Sequence, residues 1–306
     1  MGLPCAFSSC PALRQAAHWL RPYHAAITIT AMISGVAYLG QRVFDLLDSF
    51  GRFCHFTFQV CRWTLHSSLH WNRIKLLPPQ FYHIGTRSIP VIMLVGAFVG
   101  MVLAVEGYDQ FAAIGQEVRL GGIINISVVK QIGPVLAAVM LAGRVGSAIS
   151  AEIGTMRVTE QLDALRVMGA DPISYMVVPR VMACVLMIPL LTIFSDLLGI
   201  LGGYVVTVKG FGVNGNAYWE FSARFVGGYD LMTGLIKSVV FGLVIGLISC
   251  YKGFHCRSGA KGVGEAATEA FVSSFIAIII TNFVLAKFLK DLYYIIYGFG
   301  GPTAFG

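Results

Sequence analysis

Residues 131–154 read QIGPVLAAVMLAGRVGSAISAEIG, and after four more residues the chain continues as TEQLDALRVMGADP, residues 159–172. The first stretch is rich in Gly, Ala and Ser, which is typical of helices that pack closely within a membrane. The second is short, amphipathic and charged, and it ends at Gly169 and Pro172, two residues that stop helices. A membrane helix that leads directly into a short cytoplasmic docking element is typical of a transporter subunit driven by a partner protein.

The composition places the chain among integral membrane proteins. Of its 306 residues 56% are apolar and 12% are charged, against about 25% charged residues in a soluble domain. The mean hydropathy is +0.74. The net charge of +7 is explained by Lys and Arg that flank membrane helices. These residues are scattered and not clustered with aromatics, so we expect no nucleic-acid partner.

Hydrophobic patterning predicts an all-α integral membrane protein with an N-terminal interfacial helix, five transmembrane helices and a short cytoplasmic coupling helix. The predicted spans are 89–105, 123–142, 175–206, 231–251 and 270–289. Residues 1–40 are predicted to be an extension, either poorly structured or membrane-associated. Residues 41–88 interleave aromatics with arginines, which indicates a helix in the headgroup plane. Residues 89–306 form the transmembrane domain.

The basic residues predict the orientation. Eight lie between residues 14 and 87, three in the loop after span two, and three in the loop after span four, whereas the opposite loops carry few. By the positive-inside rule the N-terminus is cytoplasmic, although Lys287 and Lys290 after span five argue mildly against it.

No nucleotide-binding, catalytic or metal-binding motif is found. A phosphate-binding Gly-x-x-x-x-Gly-Lys-[Ser/Thr] loop does not occur, so any ATP and Mg²⁺ would be bound by another chain. The seven cysteines form no close pair, and we predict neither a disulfide framework nor a metal site. The chain is therefore not expected to be an enzyme.

The segment 155–169 is the predicted docking element. Val158, Leu162 and Leu165 recur at helical spacing on one face, while Glu160, Asp163 and Arg166 lie on another. This periodicity fits a helix that docks on a partner equally well as a surface helix that packs on its own bundle.

The sequence resembles the MlaE/YrbE family, the permease subunits of ABC transporters that work with mammalian-cell-entry (MCE) proteins. The resemblance covers about residues 45–290 and rests on GP at 133–134, AGRVGSA at 142–148, AEIG at 151–154, EQLDAL at 160–165, MG at 168–169, DP at 171–172, PR at 179–180, PLLT at 189–192, GILGG at 199–203, LIKSVVF at 235–241, GVG at 262–264 and AT at 267–268. Residues 1–40 lie outside it.

The resemblance implies a bacterial inner-membrane complex. Its partners would be a second copy of the chain, an ABC ATPase, a periplasmic MCE-domain protein, a small STAS-like accessory subunit and membrane lipids. Residues 51–67 would be the elbow helix. The ATPase-coupling residues would be Glu160, Gln161, Leu162, Asp163, Leu165, Arg166 and Met168. The lipid-cavity residues would be Met101, Val105, Tyr108, Lys130 and Gln131.

Two further features of the sequence bear on the cavity. Gly96 and Gly100 form a GxxxG face, which we expect to pack the two copies together. Where many family members place Arg-Glu before Leu-Gly-Pro, this chain has Lys130-Gln131 before Ile-Gly-Pro. Lys130 is expected either to meet a lipid phosphate or to extend to the membrane surface.

Three functions remain open from the sequence. The first is a permease moving phospholipids between outer and inner membranes with an MCE protein. The second is an MCE-type importer of sterols or other hydrophobic compounds. The third is a self-sufficient secondary transporter, which predicts an inverted internal repeat that the sequence does not contain.

Overall fold

The structure is a computed structural model of the chain, and it describes residues 41, 44, 47–64 and 77–297, with side chains up to residue 295. All regular secondary structure within these ranges is helical, which confirms the predicted all-α class. The predicted extension at 1–40 lies outside the described residues.

Helix α1 covers residues 47–64. It includes most of the predicted elbow helix at 51–67, whose last three residues are not described. Phe50 and Phe58 are about two-thirds exposed, and Arg52 pairs with Asp48 one turn earlier at 2.7 Å. These aromatic and charged side chains thus lie on a helix. That α1 lies in the headgroup plane stays a prediction.

Five helices in the described part of the chain are long and apolar enough to cross a membrane. They are α2 (Leu77–Ala113), α3 (Glu117–Val158), α5 (Ile173–Gly210), α7 (Gly228–Phe254) and α8 (Ala260–Tyr297). Two short helices lie between them, α4 (Gln161–Val167) and α6 (Gly215–Phe225).

The five long helices extend beyond the predicted spans. Helix α2 begins twelve residues before the predicted start at 89, inside the segment 41–88 that was predicted to be interfacial. Hydropathy detects only the part of a helix that suits the hydrocarbon core, whereas backbone hydrogen bonding continues through the polar ends. The predicted boundaries were therefore too short at both ends of the bundle.

Wider π-helical turns occur in three of these helices. Helix α2 contains one at Tyr82–Thr86, α3 contains them at Val128–Ile132 and Ala142–Gly146, and α5 at Ile173–Val177 and Val205–Gly210. Such a turn holds one extra residue, so it rotates the side chains that follow it. The turn at Val128–Ile132 includes Lys130 and Gln131, which places both predicted cavity residues on irregular backbone.

The closest helix contact joins α2 to α5. A Cβ atom on Gly96 would lie 2.8 Å from Ser195 Oγ, and one on Gly100 would lie 2.9 Å from Gly199 Cα. Real Cβ atoms do not approach other atoms this closely, so glycine is needed at both positions. The GxxxG face therefore packs within the subunit, and the prediction that Gly96 and Gly100 join two copies is wrong.

Helix α7 also packs against α5. A Cβ atom on Gly242 would lie 2.8 Å from the Cys184 carbonyl oxygen, so these backbones also approach closely. Helix α8 is held to α3 by the Ser150 hydroxyl, which donates to the Ala266 carbonyl at 3.1 Å. The outward faces of α2 and α8 remain apolar, as Phe98 and Phe283 show with 57% and 73% exposure.

The α2–α5 contact predicts the effect of filling it. Gly100→Leu should prevent the two backbones from meeting and lower the stability of the folded subunit by about 3 kcal/mol or more. The measurement is thermal unfolding of the purified protein in detergent. Gly264→Ala is the control, because a Cβ atom there meets nothing within 4 Å. Equal melting temperatures for both variants would contradict the contact.

Candidate functional site

The end of α3, α4 and the start of α5 form a hairpin at one end of the bundle, here called the coupling hairpin (residues 147–180). Glu160 turns the chain between α3 and α4 with a left-handed φ of 60°, a conformation that costs a non-glycine residue about 1 kcal/mol. Gly169 has φ 77° directly after the C-cap Met168, so it occupies the C′ position, which confirms the prediction that it stops the helix. Asp171 then accepts a hydrogen bond from the Ile173 amide at 2.9 Å and begins α5.

Helix α4 presents a different face outward from the one predicted. Leu162 is completely buried and Leu165 is half-buried, whereas Val167 and Met168 are 89% and 72% exposed. Leu162 therefore packs on the bundle, and its prediction as a contact of the ATPase is corrected. The exposed apolar tip, Val167 and Met168, is the part of the hairpin that a partner can reach.

The predicted polar residues of the hairpin are on its surface. Glu160, Gln161, Asp163 and Arg166 are all exposed. Arg166 pairs with Asp163 at 2.8 Å, and both side chains are more than half exposed. An exposed pair of this kind adds little stability, so these charges are available to a partner.

An ion pair closes the base of the hairpin. The Arg180 guanidinium, on α5, lies 3.1 Å from the Glu152 carboxylate, on α3. Arg180 is only 6% exposed, whereas the Glu152 side chain is 55% exposed. The Arg180 Nε atom is buried and makes no hydrogen bond within the described residues. The pair therefore links the two arms of the hairpin through a cation that depends strongly on its partner.

A polar cluster joins α3 to α7, formed by Lys130, Gln131, Asp230 and Lys237. The Lys130 ammonium is 2.7 Å from an Asp230 carboxylate oxygen. The Lys237 ammonium donates to the Lys130 carbonyl at 3.2 Å and to the Gln131 side-chain oxygen. Lys237 is 1% exposed, so its charge is held among oxygens of its own chain.

This cluster changes the expectation for Lys130. The sequence offered two roles, contact with a lipid phosphate or extension to the membrane surface, but Lys130 pairs with a carboxylate of another span. Asp230 also accepts from the Gly227 amide at 3.2 Å, which fixes it at the start of α7. Sequence reasoning missed Asp230, because nothing local indicates that residues 130 and 230 meet.

The remaining predicted cavity residues face different ways. Val105 is 48% exposed and Gln131 is exposed, so both can line a space outside the subunit. Met101 is half-buried. Tyr108 is stacked on Phe211 with ring centroids 3.9 Å apart, and it packs on a core cluster that includes Val128. Tyr108 therefore packs behind the wall of the predicted lipid cavity and does not line it.

Helix α6, which the sequence analysis missed, covers the start of α3. The Asn125 amide donates to the Ser222 hydroxyl at 2.6 Å, and its oxygen accepts from the Tyr218 hydroxyl at 3.0 Å. The Asn214 side chain caps the helix by accepting from the Asn216 amide. Asn214 as a cap, with aromatics three and four residues apart after it, was the available signal.

A metal site does not emerge from the residues described. No group of three or more His, Cys, Asp or Glu side chains there is placed to hold an ion. The candidate site therefore has two parts. One is the coupling hairpin at one end of the bundle, and the other is the polar cluster between α3 and α7 together with the exposed Val105.

Comparison with known proteins identifies relatives over most of the chain. The family model described as "Permease MlaE" matches residues 78–288. A Rickettsia felis protein named "Probable ABC transporter permease protein" is 39% identical over 249 residues, 81% of this chain and 95% of that protein. A Synechocystis protein named as a probable ABC transporter permease is 44% identical over 207 residues, 68% of this chain and 79% of that one.

A relative with a more specific name is the "Intermembrane phospholipid transport system permease protein MlaE" of Haemophilus influenzae. It is 32% identical over 259 residues, which are 84% of this chain and 98% of that protein.

The Arg180–Glu152 pair predicts an asymmetric mutational effect. Glu152→Ala leaves a buried cation without its partner and should cost roughly 1–3 kcal/mol, whereas Arg180→Met removes the costly charge and should cost less. The double variant should recover part of the loss. Thermal unfolding measures all three, with Asp163→Ala as the exposed-pair control, expected to change stability by less than about 0.5 kcal/mol. A larger loss for Arg180→Met than for Glu152→Ala would contradict the charge argument.

Proposed function

The chain belongs to the MlaE family of permeases, and from that premise we propose that it moves phospholipids between the outer and inner membranes together with an MCE protein. That it is a multi-pass permease subunit of an ABC transporter, and so has an ATPase partner, follows from the family. The phospholipid cargo, the MCE-domain partner and the location in a bacterial inner membrane are proposed.

The coupling hairpin is the observation that carries the proposal. Its Leu162 is buried in the bundle, whereas its Val167 and Met168 are exposed. Apolar side chains this exposed at the tip of a folded element are typical of a docking site. We assign the tip to the ATPase, which binds ATP and Mg²⁺ for the complex and moves the hairpin as it hydrolyses ATP.

The lipid path lies on the exposed side of α2 and the π-helical turn of α3. Leu94, Phe98, Val102 and Val105 are between 48% and 59% exposed and form an apolar row on α2. Gln131, a member of the polar cluster, is also exposed. Acyl chains need a tall apolar wall and a headgroup needs a few polar groups, and this surface offers both. A second copy of the chain closes the cavity from the other side.

The orientation follows the distribution of basic residues, with the coupling hairpin in the cytoplasm and the opposite end, which includes α6, facing the periplasm of a bacterial inner membrane. The MCE protein would meet that opposite end, and a small STAS-like subunit would accompany the ATPase. The cargo is taken from the name of the Haemophilus relative, which specifies phospholipid transport between membranes.

Mass spectrometry of lipids that co-purify with the assembled complex tests the cargo. Glycerophospholipids in stoichiometric amounts, released in the presence of ATP, would support the proposal. Sterols or other hydrophobic compounds in their place would favour the alternative importer.

The exposed tip predicts a separation of docking from folding. Met168→Asp should weaken ATPase binding about tenfold or more, because it puts a carboxylate into an apolar contact, and the subunit should melt as the wild type does. Leu162→Asp should instead destabilise the subunit by several kcal/mol, since that side chain is fully buried. Co-purification of the ATPase and thermal unfolding distinguish the two. A stable Leu162→Asp subunit that binds no ATPase would contradict this and would support the sequence-based prediction that Leu162 contacts the ATPase.

The proposed cavity predicts where lipid is captured. Photo-crosslinkers at Val105 and Gln131 should label lipid in a manner that depends on ATP and on the MCE partner. Phe283 is the control: it is 73% exposed on α8 and should capture bulk bilayer lipid without such dependence. If all three positions respond to ATP alike, the cavity lies elsewhere.

A further inference from the structure

The loop between α7 and α8 lies at the same end of the bundle as the coupling hairpin. The Cys256 thiol is 3.7 Å from the Gly154 carbonyl oxygen, and a Cβ atom on Gly154 would lie 3.3 Å from that sulfur. Burial raises the Cys256 pKa, and the nearby Arg157 charge opposes the rise. The loop is therefore fixed against α3 four residues before that helix ends.

An exposed basic patch surrounds this loop, here defined as Arg157 at the end of α3, Arg257 in the loop and Lys261 at the start of α8. The Arg257 and Lys261 side chains are 87% and 91% exposed, and Arg157 is exposed. Glu265 lies 3.8 Å from Arg257 and 3.9 Å from Lys261, so it offsets part of this charge. Three basic groups against one acidic group leave the patch positive.

Residues 158–172, the outer part of the coupling hairpin, have the opposite sign. Their exposed charges are Glu160, Asp163, Asp171 and Arg166, three acidic groups against one basic group. The same end of the subunit thus presents a negative region around an apolar tip and a positive region beside it.

The patch extends too far from the hydrocarbon core to be explained by lipid headgroups. Residues 270–289 would span about 30 Å, the thickness of that core, so Glu269, which pairs with Lys252 at 2.8 Å, marks its edge. Lys261 lies eight residues earlier on α8, or about 12 Å further out. A headgroup layer is only roughly 5–8 Å thick. Arg257 is at the same level, because a Cβ atom on Gly262 would lie 3.0 Å from Arg257 Cβ.

We propose that this basic patch is a second docking surface for the ATPase, one that contacts acidic side chains of that subunit. The inference rests on the proposed docking at the coupling hairpin. The two regions of opposite sign fit a partner with an acidic area beside a basic one, which would fix its orientation and speed its association. The apolar tip of the hairpin provides the binding affinity, and the basic patch fixes the orientation in which the ATPase binds.

The test uses the full chain in nanodiscs and its ABC ATPase, with affinity measured at about 50 mM and about 500 mM salt. Arg257→Glu with Lys261→Glu should weaken binding about tenfold at low salt and less than about threefold at high salt, because exposed charges are screened. The neutral Arg257→Gln with Lys261→Gln pair should show a smaller loss. Lys287→Glu with Lys290→Glu, at the opposite end of α8, is the matched control and should bind as the wild type does.

Three results would overturn the proposal in distinguishable ways. If Met168→Asp weakens binding and the charge reversal does not, the hairpin docks the ATPase and the patch does not. If the reversal alters only the difference between nanodiscs of neutral and of anionic lipid, the patch binds headgroups. If the wild-type chain binds no ATPase, the proposed function fails and this inference fails with it.

Discussion

The contact between the backbones of α2 and α5 is the constraint on which the rest of the bundle depends. Lipid tails are as apolar as leucine, so helices in a membrane associate through close packing and polar contacts, and Gly96 and Gly100 make such packing possible against Ser195 and Gly199. Helix α5 is also the helix on which α7 rests and from which Arg180 projects. The position of the coupling hairpin therefore follows from a glycine contact deep in the membrane.

The two candidate sites use charge in different ways. In the coupling hairpin a buried guanidinium depends on a carboxylate that is half in water, so the link between α3 and α5 is strong only while both arms keep their places. In the polar cluster two lysines share one carboxylate, an amide oxygen and a backbone carbonyl, and the π-helical turn of α3 supplies two of these groups. A displacement of the turn would therefore rearrange the contact between α3 and α7.

The sequence predicted features set by local chemistry and missed those set by distant contacts. The five spans, the glycine after α4 and the coupling segment follow from hydropathy and helix-stop residues. The partner of the GxxxG face does not, because Gly96 packs equally well on a helix of its own chain or of a second copy. Which leucine of α4 is buried was equally open, since Leu162 and Leu165 share a face in the pattern but differ in the structure. Asp230 is a hundred residues from Lys130, and no local signal joins them.

The burial of Leu162 has a consequence for how the hairpin meets a partner. A seven-residue helix is too short to hold its shape in water, because helix nucleation is unfavourable and few hydrogen bonds repay it. Here the bundle has already fixed the helix, so association need not order it, and little conformational entropy is lost when the tip is bound. A free peptide with the sequence of residues 159–172 lacks this preorganisation, and it would be a poor competitor for the same surface.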